Sequence, residues 1–159
     1  MPAAMAYWLL KSEPDVYSLD DLARDGTTTW DGVRNYQARN HQLAMKKGEL
    51  ALFYHSRSTP PEAAGVCRIS KKAFADATAF NPEAKYYDPK SDPENPRWFN
   101  VEVSYLCHFP RPVSLSDIRE TRSLKDMVLV NNSRLSVQPV TLSAFRTICK
   151  MGGLENIPK

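Results

Sequence analysis

Two patterns of apolar and polar positions run through the chain. Phe99, Val101, Val103 and Tyr105 alternate with Asn100, Glu102 and Ser104, the two-residue repeat of a half-buried strand. Residues 49–55 (ELALFYH) are apolar almost without a break, as in a strand covered on both sides, and residues 7–10 (YWLL) predict a shorter first strand. Residues 65–75 predict another strand, with Gly65 leading into it. Residues 134–140 predict a last one, which Pro139 confines to an edge or a strand end because proline has no N–H to give a neighbour.

Helix starts are marked by caps. Ser18 with Asp21 has the capping-box spacing, and Tyr17 with Leu22 brackets the same start as a hydrophobic staple. Ser114 with Asp117, flanked by Val113 and Ile118, repeats the device, and Val140 and Phe145 bracket a helix beginning near Thr141. A further helix is predicted over residues 35–47, capped by Asn35 and stopped at Gly48. Residues 81–97 (NPEAKYYDPKSDPENPR) hold four Pro and no period, which predicts a long surface loop of the kind that often carries function. Strands in the middle and helices at both ends predict an α+β domain, with a small curved or barrel-like sheet flanked by helices.

Length and composition narrow the classes. A chain of 159 residues suits one domain, expected over residues 7–150, with residues 1–6 and 151–159 as tails and residues 152–159 frayed. A formal charge of +3 permits a polyanionic partner without requiring one. Cys67, Cys107 and Cys149 are odd in number and far apart, which argues against a disulfide framework and a zinc site and favours a reducing compartment. No signal peptide and no bilayer-spanning run are legible, so the cytoplasm is expected, or the nucleus in a eukaryote. A monomer with no cofactor and no membrane partner is expected.

Catalytic spacings are missing: there is no GxSxG, HExxH or Walker loop. Cys107 and His108 are adjacent, which in a strand points them to opposite faces. Two of the acids Asp15, Asp20 and Asp21 fall in the first turn of a helix, where the macrodipole already favours them. Trp8 reads as core.

The stretch WDGVRNYQARN (residues 30–40) is harder to place in a core. It joins Trp30 to the turn dipeptide Asp31-Gly32, then to Arg34, Asn35 and Arg39. Trp30 reads either as a plug beneath the loop or as a stacking face for a base. Arg34 precedes a helix start whose free N–H groups attract phosphate, and Arg39, Lys46 and Lys47 extend the positive charge. His55 reads either as a strand-end polar residue or as a donor at a pocket rim. Tyr86, Tyr87 and Trp98 form a second aromatic group, with Trp98 expected to face away from Phe99 and Val101. Stacking on such rings is worth roughly 1–3 kcal/mol per base.

Five segments occur in order: YWLLKSEP (residues 7–14), WDGVRNYQARN (30–40), LFYHS (52–56), YYDP (86–89) and RLSVQP (134–139). Together they resemble the EVE domain, in the group of thymocyte nuclear proteins and their bacterial relatives. The resemblance implies a PUA-like fold, a small β-barrel of about five or six mixed strands flanked by helices, and kinship with YTH domains, which enclose a methylated adenine in an aromatic cage. It therefore implies a non-catalytic reader of a modified base in DNA or RNA, for the eukaryotic relatives a modified cytosine such as 5-hydroxymethylcytosine. 5-Methylcytosine and N6-methyladenine remain open.

Carried onto this chain, the resemblance makes Trp30 a cage wall beside Asp31. It places Lys11, Ser12 and Glu13 at the pocket floor, brings Tyr54, His55 and Ser56 to the same cavity, and leaves Tyr87 or Trp98 as the opposing wall. Phosphates would fall to Lys11, Arg34, Asn35 and Arg39. YTH domains place an Asn where this chain has Glu13. An ionised carboxylate only accepts hydrogen bonds, so it favours a base with an exocyclic amine, cytosine derivatives first. The competing class is an ASCH-like hydrolase acting on nucleosides or RNA, with Lys11 and Glu13 as its acid/base pair.

Overall fold

The computed structural model describes residues 5–132 and 134–159. In chain order the elements are β1 (Tyr7–Ser12), α1 (Leu19–Asp25), β2 (Thr27–Thr29), α2 (Tyr36–Ala44), β3 (Leu50–His55), β4 (Glu62–Ala75), β5 (Phe99–Ser114), α3 (Leu115–Glu120), α4 (Val128–Asn131), β6 (Val137–Val140) and α5 (Leu142–Met151). The six strands form one mixed sheet in the order β2-β5-β4-β3-β1-β6. β1 and β3 run parallel, and the other pairs are antiparallel. The α+β class and the strand number are as expected, but the sheet is open: β2 and β6 are its two edges. Pro139 lies in edge strand β6, where its missing N–H costs no ladder bond on the outer side.

Caps act where the sequence places them. The Ser18 hydroxyl accepts from Asp21 N–H while the Asp21 carboxylate accepts from Ser18 N–H, so the box is complete at α1. Ser114 and Thr141 cap α3 and α5, and Asn35 caps α2. Helix α2 ends at Ala44 rather than near residue 47, because Met45 turns into the core and Lys46 N–H is taken by the buried Glu49 carboxylate at 2.7 Å. The same carboxylate accepts Trp8 Nε1–H at 3.1 Å and Ala6 N–H at 2.8 Å, which ties down the last residues of the expected N-terminal tail. Residues 1–4 of that tail lie outside the described residues. The expected C-terminal tail is also packed: Leu154 and Ile157 lie against the core, and Lys159 C=O accepts from Arg68 at 2.9 Å.

Both faces of the central strands are buried. Trp8, Leu10, Ala51 and Phe53 join one core cluster with Leu19, Leu22, Trp30 and Val137, while Leu9, Leu50, Leu52 and Tyr54 join another with Ile118, Phe145 and Ile148. This is what the unbroken run of residues 49–55 predicts, and each fully buried Leu or Phe contributes roughly 1.5–3 kcal/mol. Strand β4 kinks through several register shifts against β5, one of them between Ala63 and Gly65. A Cβ at Gly65 would run into the Cys107 carbonyl oxygen and the Leu19 side chain. Gly65→Ala is therefore expected to destabilise by about 3 kcal/mol, read as a lower urea midpoint at unchanged slope.

Candidate nucleic-acid interface

Because β1 and β3 are parallel, their carboxyl ends leave the sheet side by side, with Lys11 opposite Tyr54 and Ser12 opposite His55. Ser56 N–H donates to Ser12 C=O at 3.0 Å and Lys11 N–H to Ser136 C=O at 2.9 Å, so the segment leading into β6 joins the same edge. A cleft of about 1080 Å³ opens there, lined among others by Lys11, Ser12, Glu13, Trp30, Asp31, Tyr54 and Ser56. It is at the upper end of ordinary small-molecule sites. With Arg34, eight residues expected from the sequence thus meet in one hollow.

Trp30 is 9% exposed and stands edge-on to Phe53, with ring centroids 5.3 Å apart. Its N–H donates to Val101 C=O at 2.8 Å, and its own C=O accepts from Gln42 at 3.1 Å. The residue is both plug and wall: anchored from behind, it borders the cleft. Glu13 forms an ion pair with Arg57, Oε1 to Nε 3.2 Å. The Lys11 ammonium lies 5.8 Å from the Tyr54 ring centroid, and burial lowers its pKa. Burial also raises the Tyr54 phenol. Partial loss of water raises the Asp31 carboxyl, the Asp76 carboxylate adds to that, and Arg34 opposes it.

Other expected residues stand elsewhere. His55 does not line the cleft: its Nε2 accepts Leu19 N–H at 3.1 Å at the start of α1, so it is an acceptor rather than a rim donor. Burial lowers its pKa, which suits that neutral role, with Asp20 opposing and His108 assisting. Asn35 spends its side chain on the α2 cap. Arg34 lines the cleft, yet all five guanidinium N–H groups are engaged, by Asp76, Thr78, Val33 C=O and twice by Tyr86 C=O. Arg39 bonds Asn40 and Arg97 C=O. Arg34 is thereby saturated, whereas Arg39 commits three of its five N–H groups.

The second aromatic group also sits differently from the expectation. Trp98 is 6% exposed, stacks on Tyr36 at 4.9 Å and donates Nε1–H to Asp88 at 2.7 Å. It locks the proline-rich loop down rather than facing outward. Tyr86 lines the cleft and Tyr87 is not among its lining residues. The Tyr86 ring packs on Gly32, where an added Cβ would sit 2.5 Å from it, so the Asp-Gly turn makes the seat for this tyrosine. Arg39 over Tyr36 (4.7 Å), Tyr36 on Trp98, and Arg34 near both Trp98 (5.4 Å) and Tyr86 (5.6 Å) form one stacked column.

Asp76, which the sequence reading passed over, fixes this corner. Fully buried, it accepts from Gly32 N–H, Arg34 Nη1, and the Thr78 N–H and hydroxyl. Burial alone would raise its carboxyl, but these donors together hold it below the usual carboxylate value. The structure also brings Tyr17, Arg57, Lys85, Arg134 and Ser136 to the cleft. Arg57 adopts φ 50°, a left-handed conformation that costs a non-glycine residue roughly 1–2 kcal/mol.

The sequence profile of the EVE domain matches residues 6–151. The chain belongs to the EVE-domain family. Human thymocyte nuclear protein 1 is 40% identical over 159 residues, covering 88% of this chain and 71% of the relative. The human THYN1 protein, solved in complex with DNA containing 5-methylcytosine, superposes with a TM-score of 0.89 at 39% identity, covering 95% of this chain and 99% of that one. The YTH domain of Zygosaccharomyces rouxii MRB1, solved with N6-methyladenosine RNA, shares the fold at TM-score 0.55 and 15% identity, covering 98% and 92% of the two chains. Among the described residues of this EVE domain, no helix is long and apolar enough to cross a membrane.

Two outcomes follow from the charged corner and the strained residue. Since the folded Asp76 carboxyl lies below its unfolded value of 3.8, its stabilisation is present above that pH and is lost as pH falls through the folded value. Asp76→Asn should flatten the acid limb of a stability–pH curve, and Asp76→Ala should cost about 3 kcal/mol at pH 7 by stranding Arg34. Arg57→Gly should hold or raise the melting temperature, by up to ~4 °C as left-handed strain is relieved.

Proposed function

We propose that this EVE domain is a non-catalytic reader that takes one modified base of a nucleic acid into the cleft, with 5-methyl- or 5-hydroxymethylcytosine first and N6-methyladenine second. The observation that carries the reading is the convergence in one hollow of Trp30, Glu13 and several cations, in a fold whose relative was solved with 5-methylcytosine DNA. Trp30 and Tyr86 supply flat faces for the ring. Glu13 keeps acceptor capacity beside the Arg57 ion pair and takes the N4 amine of cytosine. Lys11, Arg57, Lys85 and Arg134 face the flanking phosphates. The partner is DNA or RNA, in the cytoplasm or a nucleus, and the protein acts as a monomer.

Fluorescence anisotropy against matched oligonucleotides carrying cytosine, 5-methylcytosine, 5-hydroxymethylcytosine or N6-methyladenine tests the reading. Modified cytosine should bind tightest, with affinity falling as salt rises because cations hold phosphates. Glu13→Gln should cost about tenfold on the preferred probe, the lower range for one base-edge contact. Equal affinity for all probes overturns the reading. Chemical turnover of a nucleoside or RNA would replace it with a hydrolase that uses the half-buried Lys11 beside Glu13.

A further inference from the structure

Drawing a base out of a duplex leaves a hole in the stack, and proteins that distort duplexes commonly fill such gaps with an apolar side chain. Among the described residues Val16 is the most exposed large hydrophobic, at 68%, and it lines the cleft. One exposed apolar residue is ordinary on any surface. Its mounting is not. Val16 N–H and Tyr17 N–H both donate to Glu13 C=O at 2.9 Å, and the Ser12 hydroxyl donates to Tyr17 C=O at 2.6 Å. The Tyr17 hydroxyl reaches Asp25 at 2.9 Å, and Ser18 closes the capping box of α1. The turn between β1 and α1 is thus fixed at both ends, and it presents a branched side chain with few rotamers to lose.

Charge gives this turn its orientation. It carries Glu13, paired with Arg57, and the exposed Asp15, which repels phosphate, while Lys85 and Arg134 also line the cleft. Phosphates settle by the cations and leave the acidic turn facing the bases. We propose that Val16 is a wedge that enters the duplex stack at the position vacated by the base held in the cleft. The proposal rests on the base-reading function above and deepens it: Val16 sets the ability to take a base from paired DNA, whereas the cleft sets which base is kept.

The test uses Val16→Ser and Val16→Leu with two probes of one sequence, a fully paired duplex with a central 5-methylcytosine and the same modified strand alone. Because Val16 is exposed, both variants should melt as the wild type does. Val16→Ser should weaken duplex binding about tenfold and change single-strand binding less than about twofold, while Val16→Leu keeps both. Equal effects of Val16→Ser on the two probes overturn the wedge and leave base reading standing. A wild-type protein that binds matched cytosine, 5-methylcytosine, 5-hydroxymethylcytosine and N6-methyladenine probes equally overturns base reading, and the wedge with it.

Discussion

The parallel pairing of β1 with β3 is the constraint on which the cleft depends. Parallel neighbours cannot be joined by a hairpin, so the chain must cross over between them, here through α1, β2 and α2. That crossover sends the 13–18 turn and the Trp30-Asp31-Gly32 turn over the edge where β1 and β3 end. β6 then pairs antiparallel with β1 and brings Arg134 and Ser136 to the same edge. Groups more than a hundred residues apart in sequence become neighbours because two short strands, buried on both faces, hold one register.

Buried polar groups keep the geometry at both ends of β3, Asp76 near the cleft and Glu49 at the opposite end. Asp76 and Glu49 each gather donors from separate segments, and neither tolerates an apolar replacement without stranding its partners. Trp30 shows how one residue serves two ends. Its backbone is bonded into the fold and its ring packs edge-on with Phe53, while the residue also borders the hollow. The core and the cleft therefore share atoms here.

Local signals made much of this readable. The caps at Ser18, Asn35, Ser114 and Thr141 each rest on a few adjacent residues, and the double burial of β3 is written in residues 49–55. The open sheet was not readable, since closure depends on how the edge strands β2 and β6 lie. Tyr86, rather than Tyr87 or Trp98, reaches the cleft because of a Gly32 contact and an Arg34 bond across more than fifty residues, and an aperiodic loop carries no trace of either. Arg34 reads as a phosphate ligand because charge is visible in a sequence and saturation by Asp76, Thr78 and backbone carbonyls is not. Asp76 had a local clue, the Asp-x-Thr spacing to Thr78, but its partnership with Gly32 and Arg34 had none.

The column running from Arg39 through Tyr36, Trp98 and Arg34 to Tyr86 makes helix α2 and the proline-rich loop one mechanical part. A guest pressing on Tyr86 thus meets a braced plate instead of a swinging flap. Little freedom remains there to be frozen on contact, so tightness of grip reflects how well the guest fits. By the same token, a change on the outward side of α2 reaches the far wall of the hollow without touching it.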